Sequence, residues 1–155
     1  MSFVLGTRSR HLLKDAATPI VKVVRRAIMI STVDFAVHET LRTVDRQRGL
    51  VASGASTTMN SLHLAGPDGL ARAVDLVPYI EGDLRWDWPL AYLIAEAMQA
   101  AARIEAVPMV WGGVWDRSLN ALGDMEDEVA DYVARRRALG KRAFIDGPHF
   151  QLGMP

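Results

Sequence analysis

The sequence predicts an α+β domain in which a small, mostly antiparallel sheet is packed by three or four helices. The 155 residues suit one domain with its own hydrophobic core, and 50% of them are hydrophobic. Short apolar stretches of strand length occur between longer stretches with helical periodicity. No repeat, linker or low-complexity tract divides the chain, so we predict a single domain over residues 1–155.

The individual elements follow from periodicity, proline and glycine. In chain order we predict a helix over 19–30, a strand over 34–40, a helix from about 43 to just before 54, a loop over 54–61, a strand over 72–78, a helix from about 87 to 106, a strand over 109–113 and a helix from about 124 to 139. The first and third helices carry proline in their first turn, and their apolar residues recur at helical spacing. The strands are short apolar or alternating stretches, and the loop is small and polar without periodicity. The last helix starts acidic and contains Arg135-Arg136-Arg137 near its end, which suits the helix dipole.

Composition excludes several classes of site and partner. Because the chain has no cysteine, any metal ion must be held by His, Asp or Glu. Eighteen basic and eighteen acidic residues give a net charge of zero, so nucleic-acid binding through bulk charge has no support. No apolar run is long enough to predict a membrane span, and the first residues lack the charge order of a signal peptide. We therefore expect synthesis in the cytoplasm without a signal peptide.

The neighbours of the four histidines distinguish them as candidate metal ligands. His11 lies among basic residues and is expected at the surface or in helix packing. His38 could point into a cleft from its strand, but a hydrogen-bonded structural histidine is the expectation there. His63 follows the polar loop, and Asp75 lies within an apolar strand. A buried carboxylate needs a partner, which a metal ion or an arginine could supply, and spacing alone leaves both open.

The segment Asp146-Gly147-Pro148-His149 places a carboxylate close to an imidazole. Pro148 disfavours helical backbone before it, so both side chains are expected on extended or turn backbone, from which they can enter one pocket. Two histidines and one aspartate can form a three-ligand zinc site with a position left for water. A further carboxylate beside such a site is the expected general base. The residue types permit this arrangement without fixing it.

Several motifs, taken in order, resemble one known family. They are Ser61-Leu62-His63-Leu64-Ala65-Gly66, the strand 72–78, Trp111-Gly112-Gly113 and the segment 146–152, together with the stretches 3–9, 34–35 and 39–43. This set is similar to the L-alanyl-D-glutamate endopeptidases, which are phage and prophage endolysins in the zinc group that also includes the D-Ala-D-Ala carboxypeptidases and dipeptidases. The resemblance covers nearly the whole chain and implies a hedgehog/D-Ala-D-Ala peptidase-like fold.

The resemblance implies a metal site and a base. His63, Asp75 and His149 would ligate Zn²⁺. Asp146 would activate the attacking water and pass its proton to the leaving amine.

Three further residues would act on the substrate if the resemblance holds. Arg42 would stabilise the developing oxyanion, and the alternative for Arg42 is a structural ion pair with Glu39 or Asp45. Ser61 would contact the bound peptide, and Gln47 would form part of the cleft wall.

The chain departs from the family pattern in the spacing of two ligands. His63 and Asp75 stand twelve positions apart, whereas the family spacing is seven. The five additional residues, 67–71, contain Pro-Asp-Gly, which is a strong turn signal. We expect this turn to bulge outward and leave Asp75 as the ligand, with Asp68 as the alternative.

A second departure is the charged segment of about residues 117–142, which looks like an insertion before the Asp146–His149 motif. It could act as a lid, a wall-binding surface or a dimer contact. A solvent-exposed helix with no function of its own is the default expectation.

The implied activity is zinc-dependent hydrolysis of the L-alanyl-D-glutamate bond in the stem peptide of bacterial peptidoglycan. The alternatives are a D-Ala-D-Ala carboxypeptidase and, from another class, a non-catalytic cell-wall-binding module. The expected partner is the peptidoglycan stem peptide, with no nucleic acid and no membrane, and we expect a monomer. The enzyme would act on the cell wall after release from the cytoplasm.

Overall fold

An antiparallel sheet lies at the centre of the fold, in a computed structural model that describes residues 2–153. The described residues form, in chain order, α1 (Thr7–Leu13), α2 (Thr18–Ile30), β1 (Phe35–Glu39), α3 (Val44–Ala52), β2 (Ala73–Ile80), β3 (Asp83–Leu84), α4 (Trp88–Glu105), β4 (Met109–Trp111), a 3₁₀ turn (Leu119–Ala121), α5 (Met125–Ala138) and β5 (His149–Leu152). The strand order is β1-β2-β5-β4, and β3 pairs with β2. Every pair of these strands is antiparallel.

One face of the sheet packs on the helices. Val74 of β2 lies opposite Phe150 of β5, which lies opposite Trp111 of β4, and all three are fully buried. They share one hydrophobic core with the buried faces of α2 and α4. Because side chains alternate between the two faces of a strand, the neighbouring positions of β2 and β5 face the opposite side.

The helix α2 shows how the sequence forms this core. Its apolar residues recur every three or four positions, so that Ile20, Val23, Val24, Ala27 and Ile28 are buried on one side. Full burial of each branched side chain stabilises the fold by about 1.5–3 kcal/mol. The helix α4 contacts α2, and its buried residues include the alanines Ala95, Ala101 and Ala102, whose small side chains allow close packing in the core.

The predicted α+β class with a small antiparallel sheet is confirmed, and each predicted helix is present within two residues of its expected ends. The number of helices exceeds the expected three or four, because the described residues also contain α1. This seven-residue helix buries only Ser9 and Leu13, so it lacks the periodicity that would reveal it. The two-residue strand β3 is likewise too short to carry a pattern. Among residues 2–153, no helix has the length and apolar character needed to cross a bilayer.

Candidate metal centre and active-site cleft

The register of the sheet brings two of the predicted ligands together. Asp75 of β2 lies opposite His149 of β5, and Glu39 at the end of β1 lies opposite Asp75. Directly opposed residues of an antiparallel pair project from the same face, so these side chains share the face turned away from the core. The Nδ1 atom of His149 lies 3.4 Å from Oδ1 of Asp75.

His63 reaches the same place from the loop that follows α3. The backbone N–H of Arg42 donates to the His63 carbonyl at 2.8 Å, which ties this loop to the segment after β1. Nε2 of His63 lies 3.1 Å from Asp75 Oδ1 and 3.2 Å from His149 Nδ1. The three side chains predicted as ligands therefore converge in a buried cluster, with one ligand atom of each within 4.8 Å of the others.

Hydrogen bonds on the far side of each imidazole orient its lone pair toward the cluster. Nδ1 of His63 lies 2.7 Å from the Thr40 carbonyl oxygen, which can only accept, so this nitrogen carries the proton. Nε2 of His149 likewise donates to Oε1 of Gln151 at 2.9 Å. Since a neutral imidazole carries one proton, Nε2 of His63 and Nδ1 of His149 both present lone pairs inward.

This arrangement calls for a positive charge at its centre. Burial alone would raise the pKa of Asp75, but positive charge on the adjacent His149 and His63 imidazoles would outweigh burial and hold that pKa well below its ordinary value. Burial would lower the pKa of His149, but the Asp75 carboxylate raises it instead. Two inward lone pairs and one carboxylate cannot satisfy each other without a proton or a metal ion, and they fit a divalent metal ion.

The turn over residues 67–71 explains the unusual ligand spacing. It closes on itself through the Gly66 N–H, which donates to the Leu70 carbonyl at 2.9 Å, and Gly69 has the positive φ of 79° that such a turn requires. Asp68 lies at the surface and pairs with Arg72 at 3.2 Å. Asp68 therefore lies outside the cluster, and Asp75 is the aspartate within it.

Asp146 lies on the cleft wall beside the cluster, and close backbone packing fixes its position. Its N–H donates to the Gly112 carbonyl at 2.8 Å, and its own carbonyl accepts from the N–H of His149 at 3.2 Å. A Cβ on Gly112 would stand 2.2 Å from the Asp146 carbonyl oxygen, so only glycine fits there. The indole N–H of Trp111 donates to the Gly147 carbonyl at 2.7 Å. Burial, followed by the charge of Asp75, raises the pKa of the Asp146 carboxyl above its ordinary value.

Arg42 is held rigidly at the edge of the cluster. Its Nε and one Nη donate to the two carboxylate oxygens of Glu39 at 2.8 and 3.0 Å, and that same Nη lies 3.8 Å from Asp75 Oδ2. The ion pair with Glu39 and the approach to the metal cluster therefore coexist, while Asp45 pairs with Arg48. A bidentate pair of this kind fixes the plane of the guanidinium.

Gln47 does not form part of the cleft wall, which corrects the expectation for this residue. It is 0% exposed, and its Oε1 accepts from the other Nη of Arg42 at 2.7 Å. Its Nε2 donates to Ser56 Oγ at 2.9 Å and to the Thr58 carbonyl at 2.6 Å. Gln47 thus supports Arg42 from behind.

Ser61 lies on the cleft wall. Its Oγ accepts from the backbone N–H of His63 at 3.2 Å, so the hydroxyl also shapes the loop that carries this ligand.

The cleft in front of the cluster has a volume of about 970 Å³ and includes walls that sequence reasoning missed. Trp115 packs against His149 with ring centroids 4.9 Å apart, and the basic end of α5 lines the cleft as well.

The other two histidines lie outside the metal cluster. His11 is exposed on α1, as expected. His38 lies in the cleft wall edge-on to Trp86, and its Nδ1 has no hydrogen-bond partner among residues 2–153, in contrast to the hydrogen-bonded histidine expected there.

Comparisons with known proteins relate the whole chain to one peptidase family. The family model described as phage L-alanyl-D-glutamate peptidase matches residues 1–153. The chain is 30% identical over 156 residues to the L-alanyl-D-glutamate peptidase of Escherichia phage T5, which covers 98% of this chain and 99% of that protein. It is also 32% identical over 83 residues to the L-alanyl-D-glutamate peptidase of Listeria phage A118. This match covers 54% of this chain and 27% of that protein.

A solved structure is similar over nearly the same extent. The crystal structure of the L-Ala D-Glu endopeptidase ChiX of Serratia marcescens matches with a TM-score of 0.70 and 32% identity, over 97% of this chain and 90% of that one. The chain belongs to the phage L-alanyl-D-glutamate peptidase family.

Proposed function

We propose that this protein is a zinc-dependent peptidoglycan endopeptidase that hydrolyses the L-alanyl-D-glutamate bond of the stem peptide. The observation that carries the proposal is the convergence of His63, Asp75 and His149, with both imidazole lone pairs directed inward, beside Asp146 in an open cleft. The names of the relatives supply the bond and the substrate.

Zinc suits the donor set better than the other common divalent ions do. Two imidazole nitrogens and one carboxylate oxygen leave a fourth position open in a tetrahedral site, as catalytic zinc requires, whereas magnesium and calcium prefer oxygen ligands alone. When bound, zinc supplies a Lewis acid that polarises the scissile carbonyl and lowers the pKa of water. His63, Asp75 and His149 would hold it.

Asp146 acts as the general base. Its raised pKa makes the carboxylate a stronger proton acceptor than an ordinary aspartate, and its backbone is fixed by Gly112 and His149. It takes a proton from the attacking water and returns that proton to the nitrogen of the D-glutamyl residue as the peptide bond breaks. The proton balance of the hydrolysis is then complete.

Arg42 stabilises the negative charge that develops on the scissile carbonyl oxygen. Glu39 and Gln47 hold the guanidinium by three hydrogen bonds of 2.7–3.0 Å, so it needs no reorganisation during the reaction. Ser61 contacts the bound peptide from the cleft wall. All these groups come from one chain, so a monomer is sufficient for activity.

Digestion of purified muropeptides, followed by mass analysis, tests the proposal. We expect products separated between L-alanine and D-glutamate, loss of activity after chelation, and recovery with Zn²⁺. His149→Ala should lose both metal and activity, while Asp146→Ala should retain the metal and lose turnover by about 100-fold or more.

The alternatives give different products. Release of terminal D-alanine would identify a D-Ala-D-Ala carboxypeptidase. Absence of metal and of any cleavage would identify a non-catalytic wall-binding module. Activity that persists after complete metal removal would contradict the metal-dependent mechanism.

A further inference from the structure

Three cations of the 117–142 segment line the cleft without carboxylate partners. They are Arg136, which is half-buried, and the exposed Lys141 and Arg142. None of the three forms an ion pair within the part of the chain that the structure describes. The other two cleft arginines, Arg42 and Arg46, both pair with Glu39.

Hydrogen bonds at the C-terminal end of α5 fix the backbone that carries these cations. The N–H of Lys141 donates to the Arg136 carbonyl and the N–H of Gly140 donates to the Arg137 carbonyl, both at 2.9 Å, which is a Schellman motif. Gly140 has a φ of 67°, so glycine permits the left-handed turn. Nε of Arg136 donates to the Arg142 carbonyl at 3.2 Å, and its two terminal nitrogens remain available for a ligand.

The basic end of α5 is anchored beside the metal centre. Arg135 pairs in a bidentate manner with Asp116, at 2.9 and 3.1 Å. The residue before Asp116 is Trp115, whose ring packs on His149. Arg136 therefore lines the same cleft as His149.

Unpaired cations in a concave cleft attract an anion. A glutamyl residue that is joined through its amine and through one of its two carboxyl groups retains a second, free carboxylate. We propose that Arg136 and Arg142, with Lys141 beside them, form a subsite for that free carboxylate on the D-glutamyl side of the scissile bond. This inference rests on the proposed function, and it assigns the charged segment a role in substrate specificity.

Two synthetic stem peptides that differ only in this group, carboxylate in one and carboxamide in the other, test the subsite. We expect the wild-type enzyme to prefer the carboxylate peptide in kcat/KM by about 10-fold or more, as befits a charge-assisted hydrogen bond. In Arg136→Gln/Arg142→Gln this preference should fall to within about 2-fold of unity, mainly through KM. Raising the salt concentration should reduce the wild-type preference, because exposed charges are screened.

Arg137→Gln is the matched control. It removes the same charge one residue along the same helix, from an exposed side chain that does not line the cleft, and should keep the wild-type preference. Arg142→Gln alone provides a second measurement at an exposed position if the double variant folds poorly. A wild-type preference near unity, or an unchanged preference in the Arg136 and Arg142 variants, overturns the subsite while cleavage itself continues. If the wild-type enzyme cleaves neither peptide, the proposed function fails and the subsite fails with it.

Discussion

Replacing Gln47 by leucine tests whether Arg42 must be held in place for catalysis. The buried amide makes three hydrogen bonds, one to the Arg42 guanidinium and two to Ser56 and Thr58. A hydrogen bond to a charged group contributes about 1.5–3 kcal/mol to stability, and one between neutral groups contributes about 0.5–1.5 kcal/mol. In the variant, the former partners near the surface regain part of this free energy by hydrogen bonding to water. We expect the free energy of unfolding to fall by about 2–4 kcal/mol, which lowers Tm by about 5–15 °C for a domain of this size.

The catalytic effect should be distinct from the loss of stability. With Gln47 gone, only Glu39 orients Arg42, and a misplacement of about 1 Å in such a group costs up to about 100-fold in rate. We expect kcat for Gln47→Leu to fall by about 10- to 100-fold with little change in KM, measured well below the lowered Tm.

Gln99→Leu provides the matched control for this experiment. Gln99 lies on α4, away from the cleft, and its amide donates to the carbonyls of Leu119 and Leu122 at 2.9 and 2.7 Å. The same substitution there should destabilise the fold and leave kcat at the wild-type value. A kcat for Gln47→Leu within about 2-fold of wild type, or an equal loss of kcat in both variants, would show that catalysis does not require Gln47 to hold Arg42.

Three further predictions concern the metal cluster and the attachment of α5. Asp75→Asn should abolish stoichiometric metal binding in a chelator-competition assay, whereas Asp68→Asn should leave it unchanged; equal effects would mean that the surface turn contributes a ligand. Gln151→Leu removes the acceptor that orients His149, so metal affinity should fall by about 10- to 100-fold while the circular dichroism spectrum stays that of the wild type. The hydrogen bond from Arg135 lowers the pKa of Asp116. The ion pair therefore stabilises the fold at pH values above the ordinary aspartate pKa, and this stabilisation is lost as the pH falls below about 4. Urea denaturation measures the difference in the free energy of unfolding between wild type and Asp116→Asn. This difference should be small at pH 7 and vanish in acid, and a difference that grows in acid would contradict the predicted pH dependence.

The members of the metal cluster could be predicted because their motifs resemble those of a known family, and local sequence is compatible with that assignment. Asp75 is a lone carboxylate in an apolar strand, and Pro148 keeps His149 off a helix. The enlarged spacing between His63 and Asp75 does not disturb the site, since the extra residues close into a turn of their own. Local sequence permits these features, and the family resemblance selects them.

Features that depend on distant segments escape the sequence. Gln47 is a polar residue on a helix of low amphipathicity, and only the path of the loop that includes Thr58 shows that its side chain is buried. The position of Arg136 on the cleft wall likewise depends on the ion pair between Asp116 and Arg135, nineteen residues apart. The order of charges along α5 indicates a helix, but it does not reveal which neighbour that helix meets.

The alignment of Glu39, Asp75 and His149 across three adjacent strands makes the active site sensitive to some length changes and tolerant of others. Deleting one residue at the start of β2 would turn Asp75 toward the hydrophobic side of the sheet and bring an apolar neighbour to the metal position. Insertions between the strands leave this alignment intact, as the turn over residues 67–71 does. Insertions and deletions can therefore change the loops of such a protein and, with them, the walls of its cleft. The strands that carry the site residues can change only by substitution.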